Sequence, residues 1–112
     1  MTIPGLKKNR QFRLVYSKGK RETGEKVTIC FLRREEKGLL PGFVASKKRV
    51  GKANRRNRAK RLMRQGFMDL RERFTDEGLW IVFIASQDLR NTPLSELKKD
   101  MESSLLRAGL IS

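Results

Sequence analysis

Eleven cations stand in a stretch that contains no acid. Between Lys37 and Met68 the chain carries Lys37, Lys47, Lys48, Arg49, Lys52, Arg55, Arg56, Arg58, Lys60, Arg61 and Arg64, with no Asp or Glu among them. The whole sequence has 27 basic residues against 12 acids, net +15; outside this stretch 16 basic residues face the same 12 acids, net +4. A field of one sign gathered in one element recruits a polyanion, whereas a face made only for solubility intersperses both signs. Arginine suits phosphate because its planar fork gives two directional bonds, and lysine adds a mobile point charge. Bond-breaking chemistry has less to work with. There is no histidine and a single cysteine, Cys30, which removes Ser/His, Cys/His and histidine-containing metal arrangements together. If the protein takes part in catalysis, the reacting groups are expected elsewhere.

A long helix must carry these cations. From Ala53 or Asn54 to about Phe74, the residues Ala59, Leu62, Met63, Gly66, Phe67, Leu70 and Phe74 share one arc at 100° per residue. Asn57, Arg58, Arg61 and Arg64 share the opposite arc, so one face serves a core and the other an anion. Arg55 and Arg56 lie at the margin, where one of them could pack or pair with an acid. Ser46 to Ala53 reads as a basic connector with a bend at Gly51, placing Lys47, Lys48 and Lys52 near the helix start. Gly66 is expected to permit close packing against a sheet.

The remaining elements follow from spacing and punctuation. Asn9 is expected to cap a short helix bearing Phe12, Val15 and Tyr16, stopped by Gly19. Residues 1–8 form an irregular lead-in, and residues 20–26 a connection or short edge strand. Val27 to Leu32 alternates as a strand, with Val27, Ile29 and Phe31 toward the core and Thr28, Cys30 and Leu32 toward a second surface. The next strand, Leu39 to Ser46, is expected to pair regularly only after Pro41. Leu79 to Ala85 is expected to be the most buried strand, with Trp80 read as core packing ahead of the alternative, a platform for a nucleic-acid base. A final helix is expected to open with Thr92 as cap and Pro93 at its first position, to carry Leu94, Leu97, Met101, Leu105 and Ala108 inward, and to close at Gly109. The order α-β-β-β-α-β-α over residues 1–112 predicts a single-domain α/β sandwich. Its 38% hydrophobic residues suffice for a modest core. No apolar run reaches membrane-spanning length, and the lone cysteine suits a reducing, cytoplasmic setting.

For the basic helix, a DNA major groove lacks the expected helix-turn-helix, heptad or zinc framework, so RNA is the better polyanion. Phe12 and Tyr16 then have two readings, core packing or stacking surfaces for unpaired bases. A general RNA-binding module fits the charge equally. A protein-only nuclease would need a carboxylate cluster, and the acids are scattered.

The run GFVASKKRVGKANRRNRAKRLMRQGF at 42–67 resembles the signature of the bacterial ribonuclease P protein family, and LKKNRQFRLVYSKG at 6–19 extends the likeness. The resemblance implies an α/β sandwich with a left-handed β-α-β crossover. It also implies a subunit of a ribonucleoprotein endoribonuclease that matures the 5′ end of tRNA, in which the RNA carries the catalytic centre and holds Mg²⁺. Lys47, Lys48, Lys52, Arg55, Arg56, Asn57, Arg58, Lys60, Arg61 and Arg64 would bind that catalytic RNA. Phe12, Tyr16, Thr28 and Cys30 would face the 5′ leader of precursor tRNA. Where the family pattern has an aromatic on this strand, the chain has Cys30, which weakens the case for stacking there. No catalytic or metal-ligating protein residue, membrane contact or obligate protein partner is expected.

Overall fold

The computed structural model describes residues 5–112, so the first part of the expected lead-in, residues 1–4, lies outside the described residues. Helix α1 spans Asn9–Lys18, strand β1 Lys20–Thr23, β2 Val27–Arg33 and β3 Gly38–Val44; a one-turn helix α2 covers Lys47–Val50, followed by α3 at Ala53–Leu70, β4 at Gly78–Ala85 and α4 at Leu94–Arg107. The predicted order holds, with α2 added inside the basic connector. Ser46 makes that turn by accepting the Arg49 N–H on its Oγ at 3.1 Å.

The four strands lie in the order β1-β2-β4-β3. Strand β4 runs antiparallel to β2 and parallel to β3, so α3 is the crossover between two parallel neighbours. Helices α3 and α4 cover one face through Val27, Ile29, Phe31, Ile81 and Phe83. On the other face α1 rests on Cys30 and Val82 through Val15, with Phe12, Leu32, Trp80 and Ile84 half-buried around them. The alternation read in β2 is therefore correct on both sides.

Several local expectations change for identifiable reasons. Pro41 sits inside β3, opposite Ile81, rather than before its paired part. Strand β3 is an edge, and the outer side of Pro41 needs no ladder donor; its carbonyl there accepts the Leu6 N–H at 2.9 Å. The start of α1 is closed by Gln11, whose side-chain oxygen accepts from Lys7 and Lys8 N–H at 2.9 Å each, while Asn9 is already helical. Helix α3 stops at Leu70 and tightens into a 3₁₀ turn over Arg71–Arg73. Phe74 is drawn out to bridge Ile111 instead of completing the helix. A Cβ on Gly66 would lie 2.8 Å from Met101 Sδ, so that glycine admits α4 and not the sheet. Thr92 belongs to the turn before α4, its N–H bonded to Leu89 O at 3.0 Å, and Pro93 occupies the cap position.

Two contacts lock the sheet to its surroundings. The Asp100 carboxylate on α4 accepts from the N–H groups of Glu25, Lys26 and Val27 at 2.9, 2.9 and 3.1 Å, tying the β1–β2 turn to the helix layer. At the opposite end, a Cβ on Gly78 would stand 2.2 Å from the carbonyl oxygens of both Arg34 and Glu36. Both obstacles are backbone and cannot rotate away. Gly78→Ala is expected to lower unfolding free energy by about 3 kcal/mol; a loss below about 1 kcal/mol in urea unfolding would show that the turn yields.

Candidate nucleic-acid interface

The basic face is assembled by the way the chain leaves the sheet. After β3 the one-turn α2 reverses direction at Gly51, whose φ of +106° favours glycine, and α3 begins two residues later. Ala59, Met63, Phe67 and Leu70 are buried on the sheet side of α3. Phe67 meets Phe83 and Phe74 at ring-centroid distances of 5.8 and 5.6 Å, which fixes the rotation of the helix about its axis. That rotation leaves Asn57, Arg58, Arg61 and Arg64 exposed, as the arc requires, together with Lys47, Lys48 and Lys52. Among the described residues none of these cations lies within ion-pair distance of an acid. The two marginal arginines behave differently. Arg55 is half-buried and pairs with Asp88 at 3.7 Å, and Arg56 is half-buried with its Nε enclosed and without a hydrogen-bond partner. Arg55 thus has a local structural partner, which sets it apart from the exposed cations.

A cleft borders this face. Phe12 of α1 packs against the bare backbone of Gly42, where a Cβ would come within 2.6 Å of the ring. Beside that contact a hollow of about 300 Å³ is lined by Phe12, Leu6, Lys7 and Pro41 together with Lys60 and Arg64 of α3. Two residues expected on the catalytic-RNA face therefore reach the same space as an aromatic expected on the leader side. The Arg64 guanidinium also sits over the Phe43 ring, 5.2 Å from its centroid, which holds the cation at the β3 edge.

Farther along α1, Tyr16 is 44% exposed above the sheet. The strand register puts Arg21, Cys30, Val82 and Gly42 in one row, and Thr28, Ile84 and Val44 in the next, all on the α1 side. Arg21, Arg49, Thr28, Ile84 and Ser86 enclose a smaller hollow of about 130 Å³. Thr28 Oγ1 and Ser86 Oγ are hydrogen-bonded there at 3.3 Å. Cys30 is the exception in the expected set: only 3% exposed beneath α1, it supports the floor and offers no surface for a base to stack on. Arg21 and Ser86 were not singled out from the sequence, and Arg49 stood there only as one cation of the basic stretch. The edge-strand reading of residues 20–26 left the register open, and it is the pairing of Arg21 with Cys30 that sets Arg21 on this face.

Burial pushes the Tyr16 phenol above its ordinary value of 10.0; Cys30 pushes the same way and Arg21 opposes it. The folded chain holds that proton more tightly than the unfolded chain, so the associated stability is complete below about pH 10 and is lost only above it. With no histidine in the chain, affinity of this cleft for an RNA strand is expected to stay flat from about pH 5.5 to about pH 7. A titration midpoint within that window, in binding measured at constant salt, would contradict this.

Among the described residues no group of three or more Cys, Asp or Glu side chains converges to hold a metal ion, and no helix is long and apolar enough to cross a membrane. The surface offers unpaired cations, an aromatic pair at i and i+4 on a short helix, and hydroxyls on the sheet. Such a surface binds and positions a polyanion with unpaired segments.

Comparisons with known proteins agree in family and fold. The family Ribonuclease P matches residues 4–109. The ribonuclease P protein component of Bacillus cereus (strain ATCC 10987 / NRS 248) is 31% identical over 105 residues, covering 94% of this chain and 90% of that protein. Its counterpart in Bacillus anthracis is likewise 31% identical, over 94% of this chain and 87% of the relative. Among solved structures, the RNase P protein of Thermotoga maritima superposes with a TM-score of 0.81 at 26% identity, covering 94% of this chain and 97% of that one. The Staphylococcus aureus RNase P protein shares the fold with a TM-score of 0.84 at 24% identity, over 99% and 100% of the two chains.

Proposed function

This chain belongs to the ribonuclease P protein family, and from that membership we propose that it works by holding two RNAs at once, the catalytic RNA on its basic face and the 5′ leader of precursor tRNA in the adjoining cleft. Lys47, Lys48, Lys52, Arg58 and Arg61, with Asn57 among them, neutralise phosphates of the catalytic RNA. Phe12 and Tyr16 take unpaired leader bases, Lys60 and Arg64 take leader phosphates beside Phe12, and Thr28 with Arg21 and Arg49 continues the track past Tyr16. The observation that carries this reading is the meeting of Phe12 with Lys60 and Arg64 in one hollow, at the edge of an exposed face free of acids.

Among the described residues no carboxylates converge on a site for a resident Mg²⁺, and no step of hydrolysis is assigned to the protein's side chains. In this reading the RNA partner binds Mg²⁺, which supplies the activated water for cutting one phosphodiester and leaving a 5′ phosphate on the tRNA. The protein lowers the electrostatic cost of bringing two polyanions together, in the cytoplasm where precursor tRNA is made.

Cleavage of precursor tRNA by the partner catalytic RNA at low Mg²⁺, with and without the protein, tests the proposal. Stimulation is expected for a substrate with its leader and largely absent for one without. Equal stimulation of both, or RNA binding without stimulation, would identify a general RNA-binding module instead.

A further inference from the structure

Helix α1 has a second flank. Arg10 and Leu14 are separated from Phe12 and Tyr16 by about 200° of helical rotation, so they face the other end of the strands. There, a cleft of about 540 Å³ is lined by Lys8, Arg10 and Leu14, by Arg34 and Glu36 of the β2–β3 turn, and by Trp80 of β4. It is larger than either hollow on the Phe12 and Tyr16 side, and its size suits a nucleotide. Three cations face one acid, and among the described residues none of the four is in an ion pair.

Arg34 gives the cleft its chemistry. Its guanidinium lies over the Trp80 indole, 4.3 Å from the ring centroid, and its Nε is buried with no hydrogen-bond partner. The Nε is enclosed and beyond a ligand's reach, so a phosphate or base oxygen entering the cleft would accept from the terminal N–H groups of the same guanidinium. Trp80 is half-buried and lines the cleft, so part of the ring remains open beside Leu14. A flat apolar surface next to a short cluster of cations matches a base joined to its phosphate. The two sides of α1 are also connected by charge: Lys7 lines the Phe12 hollow and the adjoining Lys8 lines this one.

We infer that this cleft binds an upstream nucleotide of the 5′ leader, its base against Trp80 and Leu14 and its phosphate among Arg34, Arg10 and Lys8. The inference rests on the leader reading above and extends the leader's path around the N-terminal end of α1. A leader long enough to reach Trp80 is thereby held at two places, and a short one at the first only.

Trp80 is the single tryptophan of the chain, so its emission reports on this cleft directly. The protein would be titrated with precursor tRNAs carrying no leader, a short leader that fills only the Phe12 side, and a long leader. Only the long leader is expected to quench Trp80, and Arg34→Gln is expected to weaken long-leader binding roughly fivefold to tenfold while leaving short-leader binding unchanged. A long leader that binds, by anisotropy of a labelled 5′ end, without altering Trp80 emission would overturn the inference. Quenching as strong with the leaderless precursor would also overturn it, because the tRNA body would then be the occupant. The leader reading fails separately, if the short leader adds no affinity over none. Far-ultraviolet circular dichroism of Arg34→Gln separates lost binding from lost folding.

Discussion

Replacing Arg58 and Arg61 together by alanine is expected to weaken binding of the catalytic RNA by about 100-fold at low salt, and to reduce the slope of log K against log salt by roughly 1.5 to 2. Both side chains are exposed on α3, and neither is paired with an acid among the described residues. The double variant therefore removes two phosphate partners with little effect on packing. Arg55→Ala is the informative control. Its guanidinium is half-buried against Asp88, so its loss should appear mainly as a modest fall in stability, with the salt slope nearly unchanged. Filter-binding or anisotropy measurements at several salt concentrations decide between these patterns. If the double variant keeps both affinity and slope, the exposed arc is a solvated face and nothing more. If Arg55→Ala changes the slope as much as the double variant, the ion pair with Asp88 does not withhold that arginine from RNA.

The difference between those two arginine sites shows where sequence reasoning stops. The arc of α3 was legible because Ala59, Met63, Phe67 and Leu70 repeat at helical spacing, and the cations were legible because no acid interrupts them. Which marginal arginine would find an acid was not, because Asp88 lies in a loop brought near only by the β3–α3–β4 crossover. The same limit explains Cys30. Alternation in β2 correctly gave the face on which it lies, yet its burial depends on where α1 crosses the sheet, a contact between residues far apart in sequence. Pro41 and Phe74 repeat the lesson at element ends. An edge position and a bridge to Ile111 each overrode a local signal that was sound in itself.

A third such case divides the basic helix. Lys60 and Arg64 belong to the cationic run by sequence, but the structure brings them into the hollow beside Phe12, whereas Arg58 and Arg61 are exposed and do not line it. The functional consequence is a separation of effects along one helix. Lys60→Ala with Arg64→Ala is expected to cut the affinity gained from the 5′ leader by about tenfold, measured as the ratio of binding constants for precursor with and without leader in the assembled particle. Affinity for the catalytic RNA should change far less than in the Arg58 and Arg61 pair. Because each variant is compared with itself on two substrates, a general loss of folding or assembly cancels from the ratio. Arg64→Lys refines the result. It keeps the charge but loses the planar guanidinium held over Phe43 at 5.2 Å, so a leader ratio restored by lysine would mean that charge alone suffices. A ratio that stays low would mean that the arginine must be held in place to meet a leader phosphate. If Lys60 and Arg64 instead weaken both substrates equally, they bind the catalytic RNA with the rest of α3, and the leader is left to Phe12, Tyr16 and the sheet.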